Sequence, residues 1–183
     1  MQLSCSANLC SSSFPRPQKS TGAGSLLCVT DANIWIDLYR GGLSENAFKL
    51  PLELVAPDVI IEELQVPEGD LLVSSGLRVQ ELSGSQVLTV LDFAERYARP
   101  SRQDLFALVL ARDFNAVLLT GDASLRDAAE NEGVRVHGVI WLLDLMVGHG
   151  IINKMDRATS LKLMLRCGSR LPCDEVRARL DEV

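Results

Sequence analysis

The run Leu26-Leu-Cys-Val-Thr-Asp31 decides how this chain is read: four apolar residues and a β-branched one meet an acid without any spacer. A segment this short and this apolar reads as a buried strand, with a helix starting directly behind it at Ala32 and stopped by Gly41-Gly42. The same pattern returns at Ala116-Val-Leu-Leu-Thr120, where Gly121-Asp122 makes the turn and a helix from Ala123 to Glu132 closes at Gly133.

Working outward, Leu52 to Ala56 reads as a second strand, and Pro57-Asp58 opens a helix that ends before Pro67. Gly76 to Leu82 alternates like a third strand, and Val134 to His137 is a last short one. Gln86 to Ala98 has helical spacing, with Val87, Val90, Leu91, Ala94 and Ala98 on one expected buried face. Ser101 caps a further helix through Arg112, and Val139–Val147, Asn153–Arg166 and Cys173–Leu180 are helical as well. Strands alternating with helices predict a three-layer α/β/α sandwich around a central, mostly parallel sheet. The expected organisation is a disordered Ser-rich tail over 1–24, one domain over 25–150, and a C-terminal helical extension of that domain over 151–183.

Composition agrees with one ordinary domain. The chain has 183 residues, 47% hydrophobic and 23% charged, a length that buries about 70% of the surface of its unfolded form. Five cysteines with no C-x-x-C pair, and only His137 and His149, argue against a zinc knuckle or a disulfide framework. A reducing, cytoplasmic compartment is expected. No window supplies the 18 apolar residues of a membrane span, because Asp144, Asp104 and Arg112 interrupt the candidates. The formal charge is -6. Residues 31–183 hold 16 bases against 24 acids, which excludes a scaffold that grips nucleic acid by bulk positive charge.

Ligands of open parallel sheets collect beyond the carboxyl ends of the strands. Asp31 and Asp122 follow two such strands, and Glu63 and Asp104 lie in helices expected on the same side. Two carboxylates about 5 Å apart repel by about 3 kcal/mol at an effective dielectric of about 20. A hard cation, Mg²⁺ or Mn²⁺, would remove that penalty, and in an acidic cleft it hydrolyses phosphodiesters by activating water. The bland reading stands beside this one. Asp31 and Asp122 are good helix caps, Asp104 completes a capping box with Ser101, and Glu62 and Glu63 suit a solvated helix face. Asn33 fits either a hydrogen-bonding support for Asp31 or a cap. Trp35 and Trp141 are expected in the core, and His137 and His149 in structural positions.

Taken together, Thr30-Asp-Ala-Asn-Ile-Trp-Ile-Asp37, Val59-Ile-Ile-Glu-Glu-Leu64, Ser101-Arg-Gln-Asp-Leu-Phe-Ala-Leu-Val-Leu-Ala111 and Leu118-Leu-Thr-Gly-Asp-Ala-Ser-Leu125 resemble the PIN-domain family, most closely its VapC-like toxin type. The resemblance implies a metal-dependent ribonuclease that attacks RNA with metal-held water and forms no covalent enzyme intermediate. By motif position it makes Asp31, Glu63, Asp104 and Asp122 the acids that hold Mg²⁺ or Mn²⁺, with Asn33 and Thr120 supporting them. Glu62 is the rival of Glu63, and Asp127 a weaker outer candidate. It also implies a small antitoxin partner and a homodimer. RNA affinity would fall to the metal and to bases such as Arg40, Arg96, Arg99, Arg102 or Arg126.

Other classes fit less well. A non-catalytic PIN-like module that binds RNA or protein is disfavoured by the presence of all four acids. A phosphoacceptor receiver domain would want a Lys after the late strand, where Gly138-Val139 stands. A haloacid-dehalogenase-like phosphatase would want Asp at position 33, and a dinucleotide-binding fold a glycine-rich turn after the first strand.

Overall fold

The computed structural model describes residues 25–183; the expected tail over 1–24, with Cys5 and Cys10, lies outside the described residues. Five strands and ten helices follow in the order β1 (Leu26–Thr30), α1 (Ala32–Arg40), α2 (Ser44–Ala47), β2 (Leu52–Pro57), α3 (Asp58–Glu63), α4 (Gly69–Ser75), β3 (Arg78–Gln80), α5 (Gly84–Arg96), α6 (Arg102–Asp113), β4 (Val117–Leu119), α7 (Ala123–Asn131), β5 (Val136–His137), α8 (Val139–Gly148), α9 (Lys154–Arg166) and α10 (Cys173–Leu180).

The strands form one sheet in the order β3-β2-β1-β4-β5, and every pairing is parallel. β1 is central. Val29 stands opposite Val55 on one side and Leu118 on the other. The chain builds outward from β1 to β3, then returns to the far side of β1 with β4, so the connection reverses between β1 and β4. That reversal leaves a crevice beyond the carboxyl ends of these two strands, where ligands of such sheets bind.

Side-chain alternation in the strands sorts the core into two layers. Cys28, Leu54, Ala56, Val117 and Leu119 face one side and pack with Trp35, Leu38, Ile60, Leu142 and Met146. Val29, Val55 and Leu118 face the other and pack with Phe93, Leu105, Leu108 and Leu125. The three-layer sandwich expected from the alternating pattern is therefore present, with α5, α6 and α7 on one face. Trp35 is wholly buried as expected; its indole N–H donates to Thr30 Oγ1 at 2.9 Å, and its ring stacks on Phe48.

The C-terminal helices join the first of these layers. α9 packs on α1 and α8, and Leu161, Met164 and Val176 share a core with Trp35. Arg157, 4% exposed, fastens them: its guanidinium donates to Asp144 at 2.7 Å and to Glu182 at 2.8 Å. A buried cation is tolerated when it is matched by carboxylates in this way.

Four expectations need correction. α2 and α4 are helices where no element was expected; both are short and lack the length that makes helical periodicity visible. β3 spans three residues rather than Gly76–Leu82, because Gly76 (φ +121°) ends α4 and an edge strand pairs on one side only. The buried side of α5 runs through Val90 and Phe93, leaving Leu91 and Ala98 exposed. Trp141 is half-buried and stacked on His137 instead of sunk in the core, since both lie where α8 leaves the sheet edge. Among the described residues no helix is long and apolar enough to cross a membrane.

Leu118 is fully buried at the centre of the sheet. Leu118→Ala removes three carbons there and should cost about 2 to 5 kcal/mol, read as a lower urea midpoint with an unchanged slope.

Candidate active site at the carboxyl end of the sheet

β1 ends at Thr30, and Asp31 sits directly behind it as the N-cap of α1. Its backbone N–H still donates to Leu119 O at 3.1 Å, so β4 holds it by one more ladder bond past the strand end. The carboxylate is fully buried. Oδ1 accepts the Ile34 N–H at 3.0 Å, and Oδ2 accepts the Thr120 hydroxyl at 2.5 Å. Thr120 Oγ1 in turn accepts the Asp122 N–H at 3.0 Å. One hydroxyl thus donates to the Asp31 carboxylate and accepts from the Asp122 backbone at the crevice between β1 and β4.

Burial pushes the Asp31 carboxyl up to about 7, against the lowering effect of the Thr120 and Ile34 hydrogen bonds; the negative charge of Asp104 pushes it further up. Asp122 goes the other way. Burial alone would raise it, but hydrogen bonds from Ser124 Oγ at 2.5 Å and the Leu125 N–H at 2.8 Å leave it below the usual carboxylate value. The crevice therefore joins one acid that holds a proton readily to one that stays ionised.

Asp104 caps α6 reciprocally with Ser101: its Oδ2 accepts the Ser101 N–H at 3.0 Å, and Ser101 Oγ accepts the Asp104 N–H at 3.1 Å. The capping readings of Asp31, Asp104 and Asp122 are thus all realised. A cap occupies carboxylate oxygen without neutralising its charge. Among the described residues, none of Asp31, Glu63, Asp104 and Asp122 has a Lys or Arg partner within 4 Å.

Glu63 is the last residue of α3, a helix that packs against both α1 and α6. Glu62 and Glu63 are both exposed, and among the described residues neither has a side-chain hydrogen bond or ion-pair partner, so geometry ranks neither above the other. Asp127 is exposed on α7, a turn beyond Asp122. Asn33 borders the cleft beside Asp122. Among the described residues, no three His, Cys, Asp or Glu side chains are drawn close enough to hold a metal ion. The donor chemistry, all oxygen and without a Lys or Arg partner among the described residues, nevertheless suits a hard divalent ion.

Three residues at the cleft went unnoticed in the sequence. Asp37 lies one helical turn from Asn33 on the same face of α1, is buried, and has its carboxyl raised by burial against the effects of Ser169 and Arg40. Only its spacing of four from Asn33 could have signalled it. Arg170 and Ser169 come from the segment between α9 and α10, and no local pattern connects them to residues 130 positions earlier.

A family model described as a PIN domain matches residues 27–183. No curated protein matches the chain. Among solved structures, that of PAE2754 from Pyrobaculum aerophilum is 16% identical, with a TM-score of 0.51 over 73% of this chain and 99% of that one. A PilT N-terminus domain protein from the hyperthermophilic archaeon Sulfolobus solfataricus P2 is 17% identical, with a TM-score of 0.44 over 65% of this chain and 92% of that one. At such identities the likeness to solved structures is one of fold.

The raised Asp31 carboxyl has a thermodynamic signature. Its folded value, about 7, lies above the 3.8 of the free side chain, so the native state binds the extra proton and its stabilising effect is lost as pH rises through about 7. Between pH 5.5 and 8 the loss is about 2 kcal/mol. Urea titrations in chelator should show this fall in the wild type and a correspondingly flatter profile in Asp31→Asn, which is also the more stable protein at pH 8.

Proposed function

We propose that this chain, which belongs to the PIN-domain family, is a divalent-cation-dependent ribonuclease and the toxin of a toxin-antitoxin pair. PIN domains are nuclease-type modules and typically use divalent metals. The observation that carries the reading is the clamp in which Thr120 links Asp31 to the Asp122 backbone while the charge of Asp104 bears on Asp31, with no Lys or Arg within 4 Å of these acids among the described residues.

Asp31, Asp104, Asp122 and Glu63, or Glu62 in its place, would hold Mg²⁺ or Mn²⁺. The ion supplies an acidified water and offsets the charge that develops on the phosphate. The chain's own groups do the rest. Thr120 and the Ile34 N–H fix the Asp31 carboxylate in one orientation. Burial raises the Asp31 carboxyl in the metal-free chain; as a ligand of the ion it would be held ionised. Asp122, kept ionised by hydrogen bonds from Ser124 and Leu125, supplies a further negative oxygen at the cleft.

The toxin assignment adds a small antitoxin that reaches the cleft and a homodimeric state; copurification of a small protein encoded beside this chain is its check. A second reading, a PIN-like module that binds RNA or protein without cutting, draws on the spread of the acids, no three of which converge among the described residues.

A nuclease assay on mixed RNA separates the two readings. The wild type should cut with Mn²⁺ and stop with chelator, and Asp31→Asn and Asp104→Asn should each lose at least about 100-fold in rate, the scale of a lost acid-base or charge-stabilising group. Asparagine keeps the cap acceptor, so both variants should stay folded by circular dichroism. Full activity in both would overturn the assignment.

A further inference from the structure

Two cavities meet at Asp122. The larger, about 620 Å³, lies between the start of α7, the turn from β5 into α8, and α10; the smaller, about 240 Å³, runs along α1. Asp37, Gly121, Asp122 and Arg170 border both, so the two are arms of one groove passing Asp122, while Asp31, Glu63 and Asp104 border neither.

The larger arm has the size of a small-ligand site and a wall of unusual chemistry. His137 and Trp141 border it with their rings 4.3 Å apart and within 6° of parallel. Arg126 and Arg170 border it too, and neither has a carboxylate within 4 Å among the described residues. Asp144, on the same wall, is already matched by Arg157 and Arg179. Asp37, Asp122 and Glu175 border the same arm, and the Arg126 guanidinium donates to Thr120 O at 3.3 Å; two guanidinium groups without an ion-pair partner among the described residues, set beside an aromatic pair, still mark a place for an anion that carries a flat ring.

We propose that this arm is a nucleotide subsite, taking one unpaired nucleotide of the RNA with its base against the His137–Trp141 pair and its phosphate against Arg126 and Arg170. The inference rests on the ribonuclease reading and adds where the strand lies relative to the cut. α10 supplies the outer wall through Pro172, Glu175 and Arg179, so the C-terminal helices shape substrate choice as well as completing the core. An acidic peptide would also meet the arginines, but the parallel aromatic wall favours a planar base.

The test uses the whole chain in chelator, where binding is separated from cutting, with a fluorescein-labelled, mixed-sequence, single-stranded RNA decamer read by anisotropy. Trp141→Ala and Arg170→Ala should each weaken binding by about 10-fold or more, while Trp141→Phe, which keeps a ring, stays within about 3-fold. Arg170→Ala should also lower the slope of log affinity on log salt by about 0.7. Arg170 is exposed, so that variant remains informative even if Trp141→Ala fails to fold. The chain has two tryptophans and Trp35 is fully buried, so quenching of wild-type emission by the unlabelled decamer locates the base at Trp141. With Mn²⁺, the variants that cut should raise KM more than they lower kcat. Weakened binding in the variants of a protein that does not cut would support the subsite while removing the nuclease reading. Unchanged binding and KM in variants that still cut would overturn the subsite alone, as would quenching by an acidic peptide and not by RNA.

Discussion

The fold is organised around a carboxylate that water does not reach. Asp31 is fully buried at the end of the central strand, without a Lys or Arg beside it among the described residues, and an unmatched buried charge is among the most expensive features a small domain can contain. Hydrogen bonds from Ile34 and Thr120 offset only part of that cost, as the raised carboxyl records. Everything nearby follows from holding this group in place: β4 extends its ladder to the Asp31 N–H, Thr120 turns inward, and the α7 cap is drawn to the same hydroxyl.

That arrangement explains why structural and chemical roles coincide here. Three of the acids cap helices, and a helix N-terminus pointing into the crevice both welcomes a carboxylate and presents it. Capping fixes the side chain; the unneutralised charge remains available to a cation or a proton. Asp31 and Asp122 then differ in proton affinity solely through their surroundings, one by burial and the other by hydrogen bonds from Ser124 and Leu125.

The C-terminal helices connect the core to the cleft. The Arg157 bridge to Asp144 and Glu182 binds α8, α9 and the chain end together, and the same Asp144 accepts Arg179 on the cavity wall. A region readable as an appendage thus shares its packing with Trp35 and its surface with Asp122. The groove mixes charges, with Arg126, Arg170 and Arg179 set among Asp37, Asp122, Asp144 and Glu175, so the net charge of the chain says little about where an anionic ligand settles.

By itself the sequence determined the layer order and the positions of Asp31, Asp104 and Asp122, because short apolar runs ending in an acid and capping signals act over fewer than ten residues. It did not show α2, α4 or the true extent of β3, whose stability comes from neighbours rather than local pattern. It also misplaced Trp141, which local hydropathy assigns to the core. Only tertiary structure decided that Thr120 links the Asp31 carboxylate to the Asp122 backbone, that Asp37 and Arg170 border the same cleft, and that His137 and Trp141 face an open arm. These contacts join segments as many as 130 residues apart, and their energies depend on burial and mutual distance, which exist only once the sheet has closed around β1.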